Sequence, residues 1–289
     1  MNDKKNSQEI KVKEVESTKP KPSEETRLVI SGHIAELKVL KYGSPENLQQ
    51  YRKIDGNRCV DIETGEIIEY TAVSSNNRMR SSSSTRYKYN RSKTKLRQIV
   101  NTNFVGKRNE LHITLTYSKY MTDRDQLPFD FKNFWKRLKY KIGALEYIAV
   151  FEQHKSGKWH IHVLVKKPDA DILYIENRVV RRIWGKGNVT VRGTVGNTNI
   201  GLYFCKYAKE NDTSTEQALL PENYQRSKKK YTKSRGIQVP DSRTLTYAEA
   251  EIITKDYKVF YTRTKAIEVN DIEVNRIHYI QSDDRKGKK

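Results

Sequence analysis

The chain of 289 residues carries 56 lysines and arginines against 35 acids, a formal net charge of +21. A surplus of this size indicates an anionic partner, with nucleic acid the leading class. No segment approaches the roughly 20 apolar residues of a membrane-spanning helix, no signal peptide opens the chain, and two cysteines far apart in sequence exclude a disulfide scaffold. We therefore expect a cytoplasmic protein that binds nucleic acid and does not contact the membrane.

The first 75 residues divide into a polar tail and a short β region. Residues 1–26 are rich in lysine and glutamate, contain two prolines and lack apolar periodicity, which predicts a disordered tail. Residues 27–75 contain short alternating segments and a hairpin with its turn at Thr64 and Gly65, which predicts a small N-terminal β region.

Residues 78–108 are the first strongly charged feature, with ten lysines and arginines and no acid. Residues 92–100 are expected to form a basic helix with apolar side chains on one side. A solvated basic face is the simpler interpretation, and contact with a nucleic-acid backbone is the one we favour. The expected contact residues are Arg91, Lys93, Lys95 and Arg97.

The middle of the chain predicts an α+β fold. Alternation predicts strands at 110–117, 144–152, 159–165 and 188–195, and helical spacing predicts one helix from Asp130 to Gly143 and another from Asp171. The order strand, helix, strand, strand, helix, strand is that of a ferredoxin-like antiparallel sheet with helices on one face. Small N-terminal and C-terminal additions would flank it.

His160 and His162 project from the same face of the strand at 159–165 and form half of a divalent-metal site. A three-residue loop before that strand would place Glu152 opposite His160, whereas a two-residue loop would place Gln153 there. The alternative is that both histidines are half-buried strand residues with a structural role.

Residues 199–211 are expected to form a helix that presents Tyr203 and Tyr207 on one face, with Lys206 nearby. Tyrosines at this spacing also suit core packing. Beside a two-histidine metal site, however, a phenol can attack a phosphodiester, and a lysine can stabilise the charge that develops in the transition state.

Three short motifs resemble those of the HUH endonucleases: H-I-H at 160–162, T-L-T-Y at 114–117 and Y-F-C-K at 203–206. Their order along the chain agrees with that family. Extension to Tyr207 resembles the tyrosine pair of two-tyrosine phage initiators. The basic runs at 91–104 and 229–237 resemble those of replication proteins from plasmids and mobile elements of Gram-positive bacteria.

The resemblance implies a metal-dependent tyrosine endonuclease domain over residues 76–240. It would nick and rejoin single-stranded DNA at a replication origin through a 5′-phosphotyrosine, initiate rolling-circle replication in a bacterial cytoplasm, and work with a host helicase and polymerase. A relaxase or transposase of the same superfamily and a non-catalytic nucleic-acid-binding regulator are the alternatives. The implied site residues are the nucleophile Tyr203, its neighbours Lys206 and Tyr207, and the Mn²⁺ or Mg²⁺ ligands His160, His162 and Glu152, with Gln153 and His112 as alternatives for the third ligand.

Residues 223–240 form a second acid-free basic stretch, in which Tyr224 and Tyr231 are placed to stack on unpaired bases. A mobile basic loop is the alternative. Residues 241–289 predict a C-terminal α+β supplement with one capped helix and two strands, and no phosphate-binding G-x-x-x-x-G-K-[ST] sequence of a fused helicase occurs. The expected DNA contacts in the basic stretch are Lys228, Lys229, Lys230, Lys233 and Arg235.

Overall fold

The computed structural model describes residues 10–42, 51–53, 58–61, 65, 67–69, 82–119, 121, 123–153, 159–197, 199–205 and 231–286. The chain divides into two compact units, one of residues Lys93–Val239 and one built from Met1–Ser92 together with Pro240–Lys289. Within the described residues, no helix is long and apolar enough to cross a membrane.

The strands and helices of the described residues follow one another in the order β1 (Ile10–Val15), β2 (Glu25–Ser31), β3 (Ile34–Leu40), β4 (Tyr51–Lys53), β5 (Arg58–Asp61), β6 (Ile67–Glu69), α1 (Ser82–Asn103), β7 (Glu110–Thr116), α2 (Gln126–Ile142), β8 (Glu146–Gln153), β9 (Trp159–Lys166), α3 (Asn177–Trp184), β10 (Val189–Gly193), α4 (Ile200–Phe204), β11 (Tyr231–Lys233), β12 (Asp241–Thr246), α5 (Tyr247–Ile253), β13 (Lys258–Val269) and β14 (Ile272–Asp283).

The described part of the Lys93–Val239 unit contains a five-stranded antiparallel sheet in the order β10-β7-β9-β8-β11. Its first four strands have the ferredoxin-like arrangement, in which each helix connects two strands that flank a third. Alternate residues of β7 and β9, such as Ile113 and Ile161, pack against Phe134 of α2 and Trp184 of α3. The predicted α+β fold with an antiparallel sheet and helices is confirmed.

The other face of this sheet carries a second layer that was not predicted. Ile148, Val150 and Leu164 pack there against α1 and α4, including Leu96 and Phe204. Both added helices lie outside the strand–helix–strand–strand–helix–strand segment in sequence, so the pattern of that segment gave no sign of them. As a result, α4 lies on the face of the sheet that presents the histidines.

Two helix starts differ from the prediction. α2 begins at Gln126, and Asp130 is buried inside it, where its carboxylate accepts hydrogen bonds from Tyr117 Oη (3.0 Å) and Gln126 Nε2 (2.9 Å). α3 begins at Asn177, because buried Leu173 and Ile175 anchor the preceding segment to the core in an irregular conformation.

The second unit contains, in its described part, a six-stranded antiparallel sheet in the order β1-β13-β14-β3-β2-β12. The prediction of a disordered tail is wrong for residues 10–15, which pair as β1 with β13. The charged residues that suggested disorder form cross-strand ion pairs: Lys11 with Asp271 at 2.8 Å and Lys13 with Glu268 at 2.7 Å. Sequence-distant pairing thus orders a polar segment.

The sheet also combines segments that were expected to be separate additions. β2 and β3 pair with each other and with β12 and β14, so the N-terminal β region and the C-terminal supplement share one sheet. The expected N-terminal hairpin is present as the antiparallel pair β5–β6, and α5 has a full capping box between Thr246 and Glu249.

Candidate active site

The β8–β9 hairpin brings Glu152 directly opposite His160 and Val150 opposite His162. This is the register that a three-residue loop predicted. Residues 154–158, which connect the strands, lie outside the described residues. Gln153, the alternative third ligand, pairs with Trp159 instead. Because directly opposed residues share a face, Glu152, His160 and His162 all belong to one face of the sheet.

Threonines on β7 hold both imidazoles. Thr114 Oγ1 lies 3.2 Å from His162 Nδ1, and Thr116 Oγ1 lies 3.4 Å from His160 Nδ1. A hydroxyl both donates and accepts, so each threonine accommodates either tautomer of its histidine. When Nδ1–H donates to the hydroxyl, Nε2 is left as the ligand atom, which is how outer partners orient metal-binding histidines.

Glu152 and His162 are in direct contact, with Oε2 2.7 Å from Nε2. Donors on one cation at ~2.1 Å stand roughly 3 Å apart when adjacent, so this pair is close enough to share an ion. The His160 ring lies nearly parallel to that of His162, with the ring centroids 6.3 Å apart. Among the described residues, no three histidine, cysteine or acidic side chains converge as a metal-binding group. The donor set fits a divalent cation in its chemistry, with His160 standing apart from the Glu152–His162 pair.

His112 connects the histidine pair to the tyrosine helix. Its ring centroid lies 5.5 Å from that of His162 and 5.9 Å from that of Tyr203, with the two rings of the latter contact nearly perpendicular. Burial lowers the pKa of His112 to about 3, and the charges of His162 and Arg192 act in the same direction. The imidazole of His112 is therefore neutral near pH 7 and packs between Tyr203 and His162.

α4, which carries Tyr203, is fixed to α1 by polar contacts and close packing. Asn199 caps it by accepting a hydrogen bond from Leu202 N at 2.9 Å, and Asn101 Oδ1 accepts one from Gly201 N at 2.7 Å. A Cβ on Gly201 would lie only 2.5 Å from Arg97 O and from Asn101 Oδ1. Phe204 then fills the core beneath. Tyr203 is thus positioned by a helix of five residues with anchored ends.

Residues 110–212, from the start of β7 to just beyond α4, match the family model described as replication-associated protein ORF2. The match supports a replication initiator protein. The matched segment contains all three motifs, and thus His112, both histidines of β9, Glu152 and Tyr203. No curated protein and no solved structure shows significant similarity to the chain.

Two predicted site residues, Lys206 and Tyr207, lie outside the described residues, as do Lys228, Lys229 and Lys230. The described part of the predicted helix at 199–211 is α4, which ends at Phe204.

The predicted basic contacts of α1 lie near α4. Arg91 and Lys95 are exposed, while Lys93 and Arg97 are half-buried. The backbone carbonyl of Lys93 accepts a hydrogen bond from Cys205 Sγ at 3.6 Å, which places this part of α1 beside the end of α4.

Two residues of the second basic stretch have structural contacts. Lys233 Nζ donates to Ile237 O at 3.0 Å, and Tyr231 packs half-buried against the α1–α4 layer, where burial raises its pKa. The prediction that Tyr231 stands free to stack on bases is wrong, because β11 pairs with β8. Arg235 is exposed.

Arg192 is a cation of this face that was not predicted from the sequence. β10 pairs with β7 so that Arg192 lies opposite His112 and Thr190 opposite Thr114. Arg192 is exposed, and its charge helps to lower the pKa of His112, which places it beside the ring that contacts Tyr203. The alternation of β10 was visible in the sequence, but its pairing partner was not.

Proposed function

We propose that the chain initiates rolling-circle replication by nicking and rejoining single-stranded DNA at an origin through a covalent link to Tyr203. The observation that carries this proposal is the ring contact of Tyr203 with His112 and of His112 with His162, on the face that presents Glu152 and His160. A candidate nucleophile and a candidate metal-ligand set thus lie on one surface, within the segment matched by the replication family.

The proposed reaction is a transesterification. The phenol oxygen of Tyr203 bonds to the scissile phosphorus, the bond from phosphorus to the 3′ oxygen breaks, and that oxygen takes up a proton as the phenol loses one. The products are a 5′-phosphotyrosine and a 3′ hydroxyl. Since one phosphodiester replaces another, the reverse reaction rejoins the strand without an outside energy source.

The phenol is a weak nucleophile at its ordinary pKa near ~10, so the phosphate must be activated. A divalent ion such as Mn²⁺ or Mg²⁺, held by His160, His162 and Glu152, supplies Lewis-acid polarisation when bound. Arg192 reaches the same phosphate from the sheet edge as a bidentate donor, and Lys206 stabilises the developing negative charge.

The remaining assignments concern the path of the DNA and the partners. Tyr207 is the candidate for a second strand-transfer step. Exposed cations of α1, Arg91 and Lys95, and Arg235 beyond β11 would contact the phosphate backbone. The free 3′ hydroxyl is the primer that a host polymerase would extend, with a host helicase, in the bacterial cytoplasm. The remaining proposed backbone contacts are Lys93, Arg97, Lys228, Lys229, Lys230 and Lys233.

The test uses supercoiled DNA of the replicon that encodes the chain, incubated with the purified protein and manganese. The proposal predicts an open circle whose 3′ end a polymerase extends and whose 5′ end resists an exonuclease, both at one mapped position. Nicks at scattered positions, or a 5′ end open to the exonuclease, would contradict it.

A second function, that of a non-catalytic nucleic-acid-binding regulator, is favoured by the direct contact between Glu152 and His162. Under this alternative the carboxylate is simply the hydrogen-bond partner of a buried strand histidine. The regulator function predicts binding that weakens steeply with salt, no uptake of manganese and no nicked product.

A further inference from the structure

The outer side of α2 is strongly basic. Its exposed side chains include five cations, and the single acid of the helix, Asp130, is buried and contacts Lys186 Nζ at 3.1 Å. The exposed cations are Lys132, Lys136, Arg137, Lys139 and Lys141.

Within the described part of the chain, none of these five cations forms an ion pair. Cations of the other unit are treated differently: Lys41 contacts Glu273 at 2.8 Å and Arg263 contacts Glu14 at 3.0 Å. The helix dipole favours cations in the last turn, which accounts for Lys139 and Lys141. It does not account for Lys132 and Lys136, which lie further from the C-terminal end.

α3 extends this surface. It packs beside α2 and exposes Arg181 and Arg182, whereas its other exposed arginine, Arg178, pairs with Glu176. The two helices cover the face of the sheet opposite to that of His160 and His162. We call Lys132, Lys136, Arg137, Lys139, Lys141, Arg181 and Arg182 the outer basic surface.

We propose that the outer basic surface binds the phosphate backbone of duplex DNA, independently of the tyrosine site. Lys132, Lys136 and Lys139 follow one side of the helix over about 10 Å. The same length of duplex axis carries roughly six phosphates, so a rigid row of cations meets a rigid array of charge. A single strand would need successive aromatic platforms, but the exposed aromatics of α2, Phe129 and Tyr140, are about 16 Å apart at its two ends.

Duplex binding at this surface is an activity additional to strand cleavage. DNA binding is divided between the two faces of one sheet, with the intact duplex held by α2 and α3 and the unpaired strand taken at Tyr203. The duplex surface stands or fails whether or not Tyr203 forms a covalent bond.

The test measures fluorescence anisotropy of a labelled 30-base-pair duplex (length chosen as roughly three helical turns) and of the matching single strand, with full-length protein. All proteins carry Tyr203→Phe, so that binding is read without cleavage. The test variant combines Lys132→Gln, Lys136→Gln and Lys139→Gln. The control combines Lys21→Gln, Lys255→Gln and Lys258→Gln, which removes the same charge from exposed positions of the other unit.

The test variant is expected to lose duplex affinity, and the control to retain it. Three fewer phosphate contacts lower the slope of log affinity against log salt by about 2.7, so between roughly 50 and 200 mM salt the parent should lose about 40-fold more affinity than the test variant. Arg181→Gln with Arg182→Gln, on α3, should reproduce the effect in part. Duplex binding unchanged from that of the control, or an equal loss on the single strand, would overturn the proposal.

Discussion

Glu152 Oε2 lies 2.7 Å from His162 Nε2, across the open end of the β8–β9 hairpin. In this contact the imidazole donates from Nε2 and its Nδ1 accepts from the Thr114 hydroxyl. A cation between Glu152 and His162 would require the opposite tautomer, with Nδ1–H donating to the same hydroxyl at 3.2 Å. The threonine satisfies both states, so loading of the site needs a proton to leave and no rearrangement of β7.

Substitution of the carboxylate tests whether this contact belongs to a metal site. Glu152→Gln keeps the size of the side chain and removes its charge, so manganese affinity should fall more than about 10-fold by isothermal titration calorimetry. Glu146→Gln, at the other end of the same strand and paired with Lys166 at 3.1 Å, is the matched control and should leave affinity unchanged. Equal affinity in both variants would remove Glu152 from the ligand set.

Thr114→Val removes the hydroxyl that orients His162 and keeps the shape of the side chain. Loss of such an outer partner typically lowers metal affinity about 10-fold to 100-fold. Thr190→Val, the neighbouring position on β10, is exposed and should change nothing. If the two valine variants bind manganese equally well, the Thr114 contact is structural only.

Much of the candidate site was predictable because its signals are local. The period-two alternation of β8 and β9 sets which residues share a face, and the short connection limits the register, so Glu152 opposite His160 followed from the sequence. The capping box of Thr246 and Glu249 is likewise a four-residue signal.

What the sequence did not predict depends on long-range pairing. β1 is ordered by β13, whose paired residues lie about 250 positions away, and Arg192 joins the histidine face because β10 pairs with β7. The start of α3 at Asn177 follows from buried Leu173 and Ile175, which gave a helical spacing in a segment that the core holds in an irregular conformation.

Arg192→Gln should slow strand cleavage without unfolding the protein. A positioned donor to a developing oxyanion is typically worth about 100-fold in rate. Single-turnover cleavage of a single-stranded origin oligonucleotide measures the effect, and Arg192→Lys should recover part of it by restoring the charge. Arg181→Gln, exposed on the opposite face, is the control on this substrate. If Arg192→Gln cleaves as fast as that control, Arg192 takes no part in the reaction.

Gly201→Ala should destabilise the seat of the tyrosine helix. The added Cβ would meet Arg97 O and Asn101 Oδ1 at 2.5 Å, and overpacking of this kind costs about 1–3 kcal/mol. Gly193→Ala is the control, because a Cβ there meets nothing within 4 Å. Thermal unfolding should show a lower midpoint for Gly201→Ala alone, and equal midpoints would mean that α4 moves freely away from α1.

Covalent attachment of DNA to Tyr203 is tested by a denaturing gel of the protein with manganese and a labelled single-stranded origin oligonucleotide. We expect a labelled band at protein mass that is retained in Tyr207→Phe and lost in Tyr203→Phe and in His160→Ala, while Tyr203→Phe still binds the oligonucleotide. A band that persists in Tyr203→Phe, or no band with any oligonucleotide that spans the replicon, would contradict the assignment of Tyr203 as the nucleophile.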